Sequence, residues 1–435
     1  MINFLIQESL LNGIKTIMQL KIKNFGPIKE GYTNPQTDDF FDLHRCSVLI
    51  GEQGTGKSTI AKLISTLLWL EKDIIQRRRD FNQFKTEDFI KLCKNQKIDG
   101  YFKLESYICY KSDIFDFEYK DSQFLITKKN DLSKYNGKKI MYIPSERNLI
   151  SVLEDVDEIS GLPYTLQSTY EEFIKASKKI GEKKKKLPLN GFEYSYNKSI
   201  NTGFIEDISN NSVVKLSSSS SGLQSFAPLF LISDYLSKSV TEDFFDKITS
   251  FSSKEKEYAK DLIKSHSSEL FNDKTEQVLE KFERAISVGL SSDFTESDKT
   301  LLMAQLSSIL NICFTNIVEE PEQNLYPSSQ IEVAKFLISC LNENVRNSLL
   351  ITTHSPFILS TLNNLLYASK INSKKVENQY KIDANVCSAF LVQNGKIIDI
   401  FDRENQIIDT TVIDDCATLL NQQFDDLYNE EVANV

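Results

Sequence analysis

The sequence predicts an α/β fold with a mainly parallel core sheet, an antiparallel β subdomain and a helical insertion lobe. Three observations predict it. Arg45-Cys-Ser-Val-Leu-Ile50 is a short apolar run entering a glycine-rich turn, and Thr59 to Leu70 beyond it has the apolar content of a buried helix. Tyr101 to Tyr110, Phe115 to Tyr119 and Phe124 to Thr127 alternate as antiparallel strands do. Cys313 to Val318 and Ser348 to Thr352 are apolar runs of strand length with a helical stretch from Ser328 between them, the alternation that builds a parallel sheet.

The remaining elements follow in chain order. Met18-Gln-Leu-Lys-Ile-Lys-Asn-Phe-Gly26 alternates like a strand, so Met18 is the expected functional start and the residues before it a dispensable extension. Lys139 to Ile143 is a further strand, ended by Pro144. From Ser151 to Asn211 the pattern weakens into charged and polar sequence that includes Lys183-Lys-Lys-Lys186, and an insertion with mobile parts is expected. Serines 217 to 221 precede the apolar run Phe226 to Leu236, and Glu242 to Arg284 is charge-rich with helical spacing, too brief and too weakly heptad-patterned for a long coiled-coil arm. Phe390 to Val392 and Lys396 to Ile400 read as a hairpin followed by a polar helical end, together a cap on the sheet. The expected divisions are 1–150, 151–300 and 301–435.

Composition narrows the function. The chain has 435 residues, enough for one large domain with an insertion, and its 40% hydrophobic and 26% charged residues are ordinary for a soluble globular protein. No apolar run is long enough to cross a bilayer. A net charge of −10 excludes a protein that coats nucleic acid with its whole surface and leaves room for a local basic groove. The seven cysteines are scattered and never form Cys-x-x-Cys, which fits reduced thiols in a cytoplasmic protein and no zinc site. The N-terminus lacks the basic start and small-residue cleavage site of a signal peptide.

Gly51-Glu52-Gln53-Gly54-Thr55-Gly56-Lys57-Ser58 matches G-x-x-x-x-G-K-[ST] in full, after an expected strand and before an expected helix. Glycines let successive backbone N–H groups curl around phosphates, Lys57 brings positive charge to the β and γ groups, and Ser58 offers a hydroxyl to Mg²⁺. Thr59 is placed to touch the α-phosphate. ATP with Mg²⁺ is therefore the expected ligand.

Ile317-Val318-Glu319-Glu320-Pro321-Glu322 ends an apolar strand with two carboxylates. Glu319 is expected to hold Mg²⁺ through water, and Glu320, pointing the other way off the strand end, to orient or deprotonate the attacking water. Glu322 is expected to be structural. An exposed acidic turn is the bland alternative. His354, at a strand end, is a candidate beside them, where an ordinary satisfied polar histidine would also fit. Ser220-Ser221-Gly222-Leu223-Gln224-Ser225 precedes an apolar helix, and either a serine-rich linker or a phosphate-receiving helix N-terminus would have this composition.

Glu319 to Pro327, reading Glu-Glu-Pro-Glu-x-x-Leu-x-Pro, resembles the Walker B and D-loop of OLD-like and RecF-like ATPases, relatives of the ABC and SMC heads. Thr352-Thr353-His354-Ser355-Pro356 is similar to that family's switch, in which the histidine approaches the γ-phosphate. Ser220 to Ser225 resembles the ABC signature with Leu223 in place of the second glycine. The resemblance implies a P-loop NTPase with an ABC/SMC-like head and hydrolysis of ATP between two heads. Lys57, Glu319, Glu320 and His354 would act in cis, and Ser221, Gly222 and Gln224 from the other subunit. A Q-loop glutamine is not identifiable: its expected place reads Ile143-Pro-Ser-Glu-Arg-Asn148, where Arg147 either senses nucleotide or is a surface arginine anchoring the turn.

Three functions share this engine. The first, implied by resemblance to the stand-alone ATPases of bacterial anti-phage systems such as Septu and PARIS, is a homodimeric or larger nucleotide-gated switch that controls a separately encoded effector. The second is an ABC transporter ATPase subunit, which the altered signature and the insertion disfavour. The third is an OLD-like nuclease ATPase, but the segment after His354 is short and shows no glutamate with an Asp-x-Asp cluster, so no intrinsic nuclease activity is expected. DNA or RNA contact through Lys183 to Lys186 or Arg77 to Arg79 stays open, since charge runs are usually solvated surface.

Overall fold

The computed structural model describes residues 18–76, 80–129, 135, 137–153, 161–189, 191–249, isolated positions between 256 and 284, 310–411 and 421–429. Expectations for the residues before Met18, for Arg77 to Arg79 and for most of Glu242 to Arg284 lie outside the described residues or their described side chains.

The core sheet has seven strands, labelled here in chain order. Across the sheet they run β2 (Gly31–Tyr32), β16 (Lys396–Asp399), β15 (Cys387–Gln393), β4 (Cys46–Ile50), β14 (Ser348–Thr353), β13 (Cys313–Glu319) and β8 (Lys138–Ile143). The five from β15 to β8 are parallel. β4, β13 and β14 are buried along their whole length, as parallel strands covered on both faces must be. Successive β4 side chains serve opposite faces: Val48 and Ile50 pack into one core cluster and Leu49 into another.

Helix α1 (Lys57–Ile75) lies in the second cluster, its Ile60, Leu63, Ile64 and Leu67 packed with Leu49, Ile317 and Leu350 of the core sheet. The same cluster takes in an antiparallel sheet ordered β3 (Phe41–Leu43), β1 (Met18–Lys23), β5 (Tyr107–Lys111), β6 (Phe115–Lys120) and β7 (Gln123–Lys128). Each of these buried Leu, Ile and Phe side chains contributes about 1.5–3 kcal/mol. The first of this sheet's expected hairpin strands begins later than its alternation implied. Tyr101 ends a short 3₁₀ turn and pairing starts at Tyr107. Helix α2 (Thr86–Asn95) packs on the same side through Phe89 and Leu92.

The opposite face is covered by α4 (Tyr164–Ile180), α5 (Ser221–Thr249), α6 (Pro327–Asn342) and α7 (Pro356–Lys370), with the short α3 (Asn148–Val152) beside them. The described residues of the expected insertion form regular elements. α4 packs on a four-stranded sheet ordered β12 (Ser212–Lys215), β11 (Thr202–Asp207), β10 (Phe192–Asn197) and β9 (Lys185–Lys186). Tyr194, Tyr196 and Ile205 supply its buried face, and Ser177 hydrogen-bonds the Tyr194 hydroxyl at 2.9 Å. The polar outer faces of these short strands hid the alternation. The lysine run is partly engaged within the chain: Lys184 pairs with Glu206 at 2.6 Å and Lys185 with Asp234 at 2.8 Å.

The tail is no cap. β15 is an interior strand of the core sheet, paired in parallel with β4 from Cys387↔Cys46 to Leu391↔Ile50. Cys387-Ser-Ala-Phe-Leu-Val392 is a continuous apolar run, the mark of a buried parallel strand, but the Asn394-Gly395 turn after it draws attention to its hairpin with β16. The small pair β17 (Phe401–Asp402) and β18 (Ile407–Ile408) follows. No described helix is long and apolar enough to cross a membrane.

Candidate nucleotide site

β4, β14 and β13 are neighbours in the sheet, so the segments leaving their carboxyl ends meet: Gly51 to Ser58, His354, and Glu319 with Glu320. Ligand sites of open parallel sheets form at such ends.

The loop after β4 needs its glycines for distinct reasons. Gly51 has φ +152°, and a Cβ there would lie 2.2 Å from the Val392 carbonyl oxygen of β15. Gly56 has φ +113° and is the N-cap of α1. It brings no capping side chain, so the first N–H groups of a 19-residue helix are left for an anion. Gly54 faces open space. Glu52, Gln53 and Gly54 are exposed, and Thr55 closes the loop by donating to the Glu52 carbonyl at 2.9 Å. Ser58 and the buried Thr59 sit in the first turn of α1.

Lys57 is buried, and its ammonium donates to the carbonyls of Gly51 at 2.8 Å and Glu52 at 2.7 Å. Burial pushes its pKa down to about 8, against the pull of the Glu320, Glu322 and Glu319 carboxylates. Its Nζ is also 3.3 Å from His354 Nδ1, and His354 Nε2 is 3.2 Å from Glu320 Oε1. One imidazole therefore bridges the phosphate-loop lysine and the candidate base. Glu320 is held below the usual carboxylate range, chiefly by the His354 hydrogen bond.

Glu320 lies just past β13 with φ +42°, a left-handed conformation that turns its side chain out of the strand's alternation. Its N–H donates to the Thr352 carbonyl at 2.8 Å. Glu319, the last strand residue, is 2% exposed; one carboxylate oxygen accepts from the Ser145 N–H at 3.3 Å, and the other, near the Tyr142 phenol, has no hydrogen bond of ordinary length among the described residues. A buried carboxylate oxygen with spare acceptor capacity at the end of the strand next to β14 has the chemistry that would suit Mg²⁺ and its water. Its charge, after burial itself, is the main cause that raises the Tyr142 phenol well above its ordinary value. Glu322 accepts from the Thr353 hydroxyl at 2.8 Å and the His354 N–H at 2.7 Å, fixing the backbone at the end of β14.

Arg147 is not a surface residue, and among the described residues no hydrogen bond joins it to the glycine-rich loop. It is fully buried, and its guanidinium donates only to carbonyls: Ser225 at 3.0 Å, Pro144 at 3.2 Å, Glu319 at 2.6 Å and Glu320 at 2.7 Å. Burial lowers its pKa to about 10, so it stays cationic at neutral pH. Sequence reasoning missed this role because the carbonyls come from strands and helices distant in the chain.

Ser221, Gly222 and Gln224 open α5, as a phosphate-receiving helix start would. No hydrogen bond joins them to Lys57, Glu320 or His354 among the described residues. They border Asn324 and Leu325 instead: a Cβ on Gly222 would lie 2.7 Å from the Asn324 carbonyl oxygen, and Ser225 donates to Gln323 at 3.0 Å. The Gln224 amide folds back onto the Ser217 and Ser219 carbonyls at 2.8 and 3.0 Å, so it is engaged within its own loop. Tyr326 beside them is 76% exposed.

A family model described as AAA ATPase domain matches residues 16–311. No curated protein matches the chain. Among solved structures, the SMC head domain from Thermotoga maritima is 10% identical with a TM-score of 0.35, covering 88% of this chain and 97% of that one. An SMC head bound to the C-terminal winged-helix domain of ScpA is 9% identical with a TM-score of 0.38, covering 89% and 98%. A nucleotide-free ATP-binding cassette from an ABC transporter is 11% identical with a TM-score of 0.30, covering 88% and 90%. At these scores the structural likenesses are loose.

Proposed function

The chain belongs to the AAA ATPase domain family, and on that premise we propose that it hydrolyses ATP between two copies of itself as a switch that controls a separate effector protein. The observation that carries the chemistry is the contiguous line Lys57–His354–Glu320 at the ends of adjacent parallel strands.

In this reading the Gly51 to Ser58 loop and the start of α1 cradle the phosphates, and Thr59 supports the α-phosphate. Lys57 exchanges its two loop carbonyls for phosphate oxygens. Ser58 and, through water, Glu319 would hold Mg²⁺, which when bound would supply neutralisation of charge on the β and γ groups. Glu320, kept ionised by His354, accepts a proton from the attacking water, and His354 senses the γ-phosphate through the same hydrogen bond. Ser221 and Gly222 close over the nucleotide of a second head, and Gln224 joins them only after releasing its own loop. Among the described residues no hydrogen bond ties Ser221, Gly222 or Gln224 to Lys57, Glu320 or His354 of their own head, which favours that arrangement.

Phosphate release by wild type, Lys57→Ala and Glu320→Gln tests the chemistry, and sizing of Glu320→Gln with and without ATP and Mg²⁺ tests the dimer. Full turnover in Glu320→Gln would remove the base assignment, and a Glu320→Gln monomer under ATP would remove the sandwich. The effector is sought as a protein that co-purifies in one nucleotide state; none in either state would count against the switch.

A further inference from the structure

A proline sits inside the helix that carries the signature segment. Pro228 has no N–H, so the carbonyl four residues earlier, that of Gln224, loses its helical partner. Ser151 of α3 replaces it, its hydroxyl donating to the Gln224 carbonyl at 2.6 Å. One residue on, the Ser225 carbonyl takes the Nε–H of Arg147 at 3.0 Å. The first turns of α5 are thus held from outside by two side chains of one short segment, 147–151.

The same guanidinium grips the other end of the site. Its two remaining nitrogens donate to the carbonyls of Glu319 and Glu320, the candidate metal ligand and base, at 2.6 and 2.7 Å. Glu320 is left-handed and pinned on its amide side by Thr352, so Arg147 fixes the other side of that residue's backbone. A planar, rigid fork cannot rotate one donor without moving the others. Buried carbonyls stripped of such a donor pay their desolvation in full, so the cluster moves as a unit or breaks.

We propose that Arg147 is a positioning residue that couples the signature helix to the catalytic base of the same head. When α5 shifts to engage the nucleotide of a second copy, the Ser225 carbonyl carries the guanidinium, and the guanidinium resets the Glu320 carboxylate for water attack. Each head then fires its own base only while its signature is engaged on the partner's nucleotide. The inference rests on the sandwich reading above.

The test is a double-mutant cycle on ATP turnover, with Ser221→Ala weakening engagement and Arg147→Lys keeping the charge but losing the fork. Ser151→Ala, which deletes a single hydroxyl, runs the same cycle should Arg147→Lys lower the thermal midpoint. Coupling predicts kcat losses on the order of 10-fold for each single variant, ATP affinity within about 3-fold of wild type, and a double variant no slower than the slower single. A merely structural arginine would give multiplied losses with weakened ATP binding, and that result overturns the coupling while leaving the sandwich intact. Unchanged turnover in Ser221→Ala, together with a Glu320→Gln protein that stays monomeric under ATP, removes the sandwich and the coupling with it.

Discussion

His354 Nε2 lies 3.2 Å from Glu320 Oε1, while the other nitrogen of the same ring lies 3.3 Å from Lys57 Nζ. A single imidazole touches both the lysine of the glycine-rich loop and the proposed base. Its ring nitrogens cannot both donate unless the ring is charged, so a γ-phosphate drawing Lys57 away frees Nδ1 and changes what Glu320 feels.

Replacement of His354 by alanine should lower kcat by about 10²-fold and leave ATP affinity nearly unchanged, because the lost contact is to the base more than to the bound ground state. Single-turnover phosphate release beside equilibrium nucleotide binding checks it. An affinity loss as large as the rate loss would place His354 in binding instead.

Lys57 gives a pH dependence with a definite sign. Its pKa of about 8 reflects burial, and phosphate oxygens would raise it. Binding therefore takes up a proton above pH 8, and ATP affinity should fall as pH rises through that value, by up to about tenfold per unit. Calorimetric titrations in two buffers of different ionisation heat, above and below this pKa, measure the uptake. Equal apparent enthalpies above it would show that Lys57 is already charged.

Gly51 and Gly54 should respond differently to alanine. At Gly51 the new methyl meets the Val392 carbonyl, so stability should drop by about 2–4 kcal/mol or the loop should shift away and lose nucleotide. Gly54 has φ +75° but nothing within 4 Å, so the cost there is the backbone term alone, about 1–2 kcal/mol. Denaturant midpoints of the two variants decide, and equal losses would contradict the packing of β15 against the loop.

Glu322→Ala removes the acceptor for both the Thr353 hydroxyl and the His354 N–H. The loss should be about 1.5–3 kcal/mol of stability together with reduced turnover, since the switch backbone is no longer fixed. Unfolding curves and phosphate release on the same preparation test this, and normal values in both would make Glu322 a bystander.

The phosphate loop, the paired carboxylates and the switch histidine were legible because each follows a short apolar run, and runs of that kind became β4, β13 and β14. Their adjacency was not, since strand order across a sheet depends on long-range pairing that local pattern does not encode. Arg147 shows the limit most clearly. From the sequence it is one arginine after a proline; its meaning comes from carbonyls at 225, 319 and 320, which only the folded chain collects. Phe390 to Val392 reads as half of a hairpin, and only the parallel pairing of the whole strand with β4 reveals a wall of the glycine-rich loop.

That wall bears on how the protein is made. β4 pairs on both sides with strands from the last third of the chain, β14 and β15. A ribosome that has extruded the Gly51 to Ser58 loop has not yet translated either neighbour, and the loop's backing at Val392 comes later still. The head must wait for contacts of very high sequence separation, which fold slowly and leave unpaired strand edges exposed meanwhile. Nucleotide held in that interval has nothing to rest against, so a half-synthesised head is silent, and chains broken between 150 and 310 should regain binding only when both fragments are expressed together.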